Sequence, residues 1–218
     1  TRLALARFLA SHGKATETLE QLRGITTTIP SELRKDLIRL LIQHKAYPEA
    51  YAIWKENIAG ASSISNGSFE DDLVLEELGF GWQAPKLNGA TFVLDLNQPH
   101  DGSRSLQITF EGYENQEPPV LSQLLLVKPD SKYRVKFAVK TLDLVTGGLP
   151  LITVRDATTD QLLSKSEMFQ PTGNAWVSMS FEFTTLSTSR AVSLNLQRNK
   201  CSSSPCPIFG RVWLDSFV

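Results

Sequence analysis

Little in this sequence is suited to catalysis. Its three histidines, His12, His44 and His100, have no partner motifs around them. There is no Gly-x-Ser-x-Gly elbow, no phosphate loop and no His-Glu-x-x-His, so the hydrolase, nucleotide-binding and zinc-protease chemistries that these motifs carry have no residues to run on. Carboxylates are plentiful at Asp71, Asp72, Glu76 and Glu77, but they crowd one hydrophilic segment. Glycoside hydrolysis needs two facing each other across a bond. An enzyme is not expected.

Long apolar runs are also missing. No stretch approaches the roughly 18 residues that a spanning helix needs, so membrane insertion of this fragment is not expected. Net charge is small, −1 over 218 residues, and it divides unevenly. Residues Thr1–Gly60 hold 9 Lys/Arg against 6 Asp/Glu, leaving 13 against 17 beyond, and neither part is basic enough for nucleic acid to be the default partner. The chain starts at Thr1 without methionine or a signal-peptide pattern, which reads as a portion of a longer chain. Cysteine is confined to Cys201 and Cys206, in one short turn-rich loop. That placement points to a local disulfide and an extracytoplasmic protein (periplasmic, envelope-associated or secreted), the alternative being two free thiols. A zinc site would need about four ligands, and neither a Cys-x-x-Cys pair nor a neighbouring histidine supplies them.

What is present falls into two kinds of sequence that meet near Ile64. Residues 1–60 carry a helical pattern that repeats at an offset of 32, where Arg7, Leu9, His12 and Glu17 lie over Arg39, Leu41, His44 and Glu49. Leu5, Phe8 and Leu9 mark one apolar helix face, and Leu33, Leu37, Leu40 and Leu41 another. Gly13 and Gly24 read as helix stops, Ser31 after Pro30 as an N-cap, and Pro48 as a first-turn proline. His12 and His44 sit near equivalent helix ends, where capping is expected of them rather than ligation. The second hairpin, ending Ala46-Tyr47-Pro48-Glu49-Ala50-Tyr51-Ala52-Ile53-Trp54, resembles a tetratricopeptide-type repeat, with a spacing of 32 against that family's 34. Such a hairpin cannot bury its apolar face alone, so it stacks on further repeats or docks on the downstream sandwich. Residues 59–63 read as a linker.

From residue 61 to 218 the rhythm is two residues, not 3.6. Lys132–Thr141 alternates Tyr133, Val135, Phe137 and Val139 with Arg134, Lys136, Ala138 and Lys140, the pattern of an antiparallel strand with one wet face. Similar alternation marks Phe92–Leu96, Leu106–Phe110, Leu121–Val127, Ile152–Val154, Val177–Phe183, Val192–Leu196 and Val212–Leu214. Turn chemistry separates them at Asp101-Gly102, Pro129-Asp130, Gly147-Gly148, Thr172-Gly173-Asn174 and Ser203–Pro207. The expected class is therefore α+β and multidomain: a short helical repeat segment followed by an all-β jelly-roll sandwich.

Within that part, Asn66-Gly67-Ser68-Phe69-Glu70 is followed by Gly81-Trp82, then Asp101-Gly102-Ser103-Arg104-Ser105-Leu106. Next come Val127-Lys128-Pro129-Asp130-Ser131-Lys132-Tyr133, Trp176, and Trp213-Leu214-Asp215. In order and spacing this series resembles the jelly-roll carbohydrate-binding modules of xylanases and related glycanases, a galactose-binding-domain-like fold. Asp130 stands where the family usually has glycine.

The resemblance implies a non-catalytic module for a polysaccharide or other glycan. It also implies a structural calcium held by Glu70 and Asp215, with a backbone oxygen from Gly102 or Ser103. Trp82 and Trp176 match packing positions. For sugar binding the residues offer Trp213 and Tyr113 as aromatic platforms, Trp213 being either a covered interface residue or a platform. Gln107, Arg134, Lys136, Asn195 and Gln197 lie on wet strand faces that form a groove if their strands are neighbours. The other reading is protein assembly through the helical repeats or an exposed face of the sandwich, in a cell-envelope or secretion system.

Overall fold

The structure is a computed structural model, and it describes residues 2–25, 27–55, 64–75, 78–114, 118–202 and 204–218. The expected linker and domain boundary, at residues 59–63, lie outside these, as do Glu76, Glu77 and Ser203.

Among the described residues four short helices come first: α1 (Arg2–Ser11), α2 (Ala15–Arg23), α3 (Ser31–Gln43) and α4 (Tyr47–Lys55). The offset of 32 read from the sequence recurs in the backbone, since α1 and α3 end, and α2 and α4 both begin and end, that far apart. Gly13 and Lys45, one on each inter-helix turn, both take left-handed backbone, with φ of 70° and 60°. Helix α1 packs on α2 and α3 on α4, while α1 also meets α3 and α2 meets α4. Small residues make this close approach feasible: Ala6, Ala10 and Ala50 are fully buried beside Leu37, Leu41 and Ile53.

Two local expectations are corrected here. Leu5 and Phe8 are not the packed face of α1, being 45% and 58% exposed; the buried stripe is Ala6 and Ala10, one turn apart. Ser31 is the first helical residue and not the N-cap, a position that Pro30 fills without a side-chain cap bond. His12 does bond its own helix end, through Nδ1 and the Phe8 carbonyl, but His44 reaches across to the Ser11 carbonyl of the other hairpin.

Among the described residues nine strands follow: β1 (Ala90–Asp95), β2 (Ser105–Tyr113), β3 (Leu121–Leu126), β4 (Lys132–Thr146), β5 (Pro150–Asp156), β6 (Leu162–Lys165), β7 (Val177–Thr184), β8 (Ala191–Arg198) and β9 (Ile208–Asp215). They form a five-stranded sheet in the order β1-β2-β9-β4-β7 and a four-stranded sheet in the order β3-β8-β5-β6, with every pairing antiparallel. Between the sheets lie Leu106, Ile108, Phe110, Val135, Phe137, Val139, Val212 and Leu214 from one side, and Leu121, Ile152, Val154, Leu194 and Leu196 from the other. Alternate residues thus make one shared core, and a one-residue slip in any strand would turn its apolar set to water.

The motif residues close the ends of this core. Phe69, Trp82 and Phe217 pack ring against ring, and Trp82 Nε1 donates to the Asn66 carbonyl. Phe217 N donates to the Gly67 carbonyl at 2.9 Å; a Cβ on Gly67 would sit 2.2 Å from the Phe217 carbonyl oxygen, so only glycine lets the first and last segments meet. Asp130 has φ 46°, the left-handed turn conformation that its short polar side chain tolerates. Cys201 and Cys206 form a disulfide, as their spacing suggested.

The helices dock on the sandwich. On β3, Leu121 and Leu125 face the inter-sheet core, while Leu124 and Leu126 alternate onto the outer face of the four-stranded sheet, where they join the helical core together with Ala157 and the buried Phe80 and Ala191. Tyr51 and Trp54 of α4 bracket Phe80. Two polar ties flank this apolar seam: Tyr47 Oη donates to the Ala157 carbonyl at 2.7 Å, and Lys45 Nζ to the Thr158 carbonyl at 2.9 Å. Asp156 holds the turn that presents those carbonyls. Its oxygens accept from the backbone N–H groups of Thr158 and Thr159 and from the hydroxyls of Thr159 and Ser189. Burial pushes this carboxyl up, but the Ser189 and Thr159 donors outweigh it and hold its pKa below the usual aspartate value.

Candidate functional site

The strand register sorts the residues expected at a ligand site onto two opposite faces. On the outside of the five-stranded sheet one row reads Val93, Gln107, Trp213, Lys140 across β1, β2, β9 and β4. Gln107 and Trp213 are therefore neighbours. Arg134 lies further along β4, directly across from Glu182 on β7. Asn195 and Gln197 belong to β8, in the other sheet. A single groove holding Gln107, Arg134, Lys136, Asn195 and Gln197 is thereby excluded, because β8 is a neighbour of neither β2 nor β4.

Trp213 does not offer a platform. It is 1% exposed, its Nε1 donates to Asp95 Oδ2 at 2.7 Å, and Lys140 Nζ lies over its ring at 4.3 Å. Lys140 is itself 1% exposed; its ammonium also faces the Trp176 ring at 4.9 Å and donates to Gln98 Oε1. Burial draws the lysine pKa down, with Asp95 pulling the other way. Trp176 packs, but in this outer layer against Lys140 and His100 and not in the inter-sheet core.

Tyr113 is likewise no loop platform. It is 1% exposed at the end of β2, and its hydroxyl is buried without a hydrogen-bond partner. Arg134 is engaged by Glu182, which also pairs with Lys132. Lys136 lines an open depression of about 400 Å³ with His100, Asp101, Ser178 and Ser180.

The outside of the four-stranded sheet is different. The helices cover the end carrying Leu124, Leu126, Ala191 and Ala157. Beyond them the face opens into a groove of about 460 Å³ lined by Leu151, Thr153, Arg155, Leu162, Lys165, Gln197, Arg198, Asn199 and Lys200. The register explains the company: Gln197 pairs with Leu151 on β5, and Thr153 pairs with Lys165 on β6. Thr153 Oγ1 donates to Gln197 Oε1 at 2.7 Å, which fixes the amide and leaves its N–H donors for a ligand. Asn195 shares this face but is 3% exposed and bonded to Ser193, both accepting its hydroxyl and donating to its carbonyl, so it has little left to offer.

Of the residues expected at a site, only Gln197 is in the groove. Lys165 was missed because β6 is a four-residue edge strand, Leu-Leu-Ser-Lys, too short for alternation to register, and Arg155 because it lies just past the marked part of β5. Strand β5 runs beyond the three residues that the pattern marked, to Pro150–Asp156.

The residues expected to hold calcium enclose one loop from two sides. Glu70 accepts from Ser103 N, Arg104 N and Ser103 Oγ, at 2.8, 3.0 and 2.5 Å. These bonds hold its pKa below the usual value, the Ser103 hydroxyl contributing most. Asp215, fully buried, accepts from the backbone N–H groups of His100, Asp101 and Ser216; here burial outweighs those bonds and raises the pKa. Three of roughly four acceptor sites on each carboxylate are thus filled by hydrogen donors, which repel a cation, and Ser103 and Arg104 turn their N–H groups toward Glu70. Among the described residues no three His, Cys, Asp or Glu side chains gather about one point. As placed, Glu70, Gly102, Ser103 and Asp215 do not make a calcium shell; they close the loop by hydrogen bonding.

A family model described as a carbohydrate binding domain matches residues 61–203. A solved CBM4 module ("CBM4 structure and function") has a TM-score of 0.53 at 12% identity, covering 71% of this chain and 97% of that one. The CBM22-1 xylan-binding domain from Paenibacillus barcinonensis Xyn10C has a TM-score of 0.48 at 20% identity, covering 69% and 88%. TmCBM61, solved in complex with β-1,4-galactotriose, has 0.45 at 15% identity, covering 72% and 97%. No curated protein matches the chain. At such identities the likeness to the CBM4 module concerns the fold, a jelly-roll sandwich.

Proposed function

The chain belongs to the carbohydrate binding domain family through residues 61–203, and from that premise we propose that it binds a polysaccharide along the uncovered part of the four-stranded sheet's outer face. It is a binding module and not an enzyme. The observation that carries the reading is the open groove of about 460 Å³, where Thr153, Gln197 and Arg155 stand on adjacent, hydrogen-bonded strands. Hydroxyl-rich ligands are recognised by amide, hydroxyl and guanidinium groups held on rigid strands, and the Thr153–Gln197 bond pre-orients one such group. In this reading the stacked helical pairs act as a wall, closing one end of the face and giving the groove its direction. The disulfide between Cys201 and Cys206 supports an extracytoplasmic location, and among the described residues no helix is long and apolar enough to cross a membrane.

Retention on a panel of immobilised polysaccharides tests the reading. Gln197→Ala should weaken binding of any retained glycan about fivefold, the worth of one hydrogen bond of about 1 kcal/mol. Arg134→Ala, on the opposite face, should leave it unchanged. A panel on which nothing is retained, or on which only Arg134→Ala matters, overturns the proposal.

A further inference from the structure

The groove has an unbalanced charge. Arg155, Lys165, Arg198 and Lys200 all line it, and among the described residues no carboxylate does. The one acidic neighbour paired with any of them is Asp160, whose Oδ1 accepts from Arg155 Nε at 2.8 Å. Among the described residues Lys165, Arg198 and Lys200 have no ion pair. Arg198, only 5% exposed, turns inward, since it shares the strand parity of Leu194 and Leu196, which face the inter-sheet core. Here its partners are neutral. Nη1 donates to the Tyr113 carbonyl, Nη2 to Thr146 Oγ1 and to the Cys206 carbonyl, and Nε has no partner among the described residues. Arg198 is thus pinned between the sheets behind the groove and Arg155 is held by Asp160, while Lys165 and Lys200, both exposed, can reach a ligand.

This charge is not a general property of the surroundings. The chain carries a net charge of −1, and residues 61–218 hold more Asp and Glu than Lys and Arg. On the opposite face the comparable cations are neutralised in place, Lys132 and Arg134 both by Glu182. Nor does the groove offer the usual means of holding an uncharged sugar, since no aromatic ring is among its lining residues. Two unpaired lysines on a strand-built site, with the buried Arg198 behind them, concentrate positive field there and favour planar or tetrahedral oxyanions.

We infer that the groove selects an anionic polysaccharide, one whose sugars carry carboxylate or sulfate groups, over its neutral counterpart. The inference rests on the groove being the glycan site. Gln197 and Thr153 then meet hydroxyls, and Lys165 and Lys200 meet the acidic substituents of the bound sugars.

Affinity electrophoresis with matched polymers tests it: polygalacturonate against its carboxyl-reduced form, and dextran sulfate against dextran. At least one acidic member should bind about tenfold tighter than its neutral match, with the gap closing as salt rises from about 20 to about 300 mM. Which acidic polymer binds identifies the anion as carboxylate or sulfate. The double variant Lys165→Gln/Lys200→Gln should remove most of the gap with an unchanged melting temperature, because both side chains are exposed. Arg23→Gln, on α2, should leave the gap intact and so rules out attraction by the basic helical segment. If acidic and neutral forms bind equally and Gln197→Ala weakens both, the selectivity is wrong while the groove stands. A preference for acid that survives the double variant also overturns the inference. If no polymer binds, the groove reading itself fails.

Discussion

The two outer faces of the sandwich are built from the same kind of strand, polar residues alternating with apolar ones, yet they end in opposite states. The five-stranded face covers itself: Lys140 lies between Trp213 and Trp176, Asp95 takes the Trp213 indole, and Gln98 caps the ammonium. Around Trp213 its polar side chains are spent on one another, and Lys136 lines a shallower open depression further along β4. The four-stranded face is covered at one end by four helices, through Leu124, Leu126 and Ala191, and left open and cationic at the other. A stripe that reads as wet in the sequence is therefore a packed layer in one place and a groove in the other, and what crosses over the strand decides which.

The largest way to break this comparison is Trp213→Ala. If the five-stranded face is packing, the loss should be about 3–5 kcal/mol of stability in urea unfolding, the range for deleting a large buried aromatic, with glycan affinity per folded molecule unchanged. Normal stability with lost binding would move the site to that face. Phe80→Ala comes next, at about 3 kcal/mol, because the ring fills the seam between α4 and the sandwich. Amide exchange in α3 and α4 should accelerate far more than in β2 or β9. Equal acceleration everywhere would mean that the helices and the sandwich open as one unit.

The smallest effect is titration of Asp156. Its folded pKa lies below the ordinary aspartate value of about 3.9, so its contribution is fully present above that pH and is lost as pH falls through the depressed folded value. The Ala157 and Thr158 carbonyls that receive Tyr47 and Lys45 depend on this turn, so acid should loosen the helices before the five-stranded sheet. Asp156→Asn should cost about 1–3 kcal/mol at neutral pH and flatten that acid limb. A variant that keeps the wild-type pH dependence would remove Asp156 from the account.

Much of the fold was legible because two periodicities are clean. The alternation in Lys132–Thr141 survives in the structure as part of β4, and the helical period of the first segment as short helices. The disulfide was legible from two cysteines in one loop. The site was not, for a physical reason: alternation gives the face of a residue within its own strand but says nothing of which strands are neighbours. Gln107 and Gln197 look alike in sequence and lie on opposite sides of the protein. Strand β6, which brings Lys165 to Thr153, is too short to carry a pattern at all. Trp213 shows the converse, since its outward position was readable but the lysine and loop that bury it were not.

The most direct test of the two-face account is an amide chemical-shift map recorded while a glycan retained by the protein is titrated in. The account predicts changes gathered in residues 151–155, 162–165 and 197–200, with residues 105–111, 134–140 and 209–213 silent. Changes concentrated in the second set would contradict it.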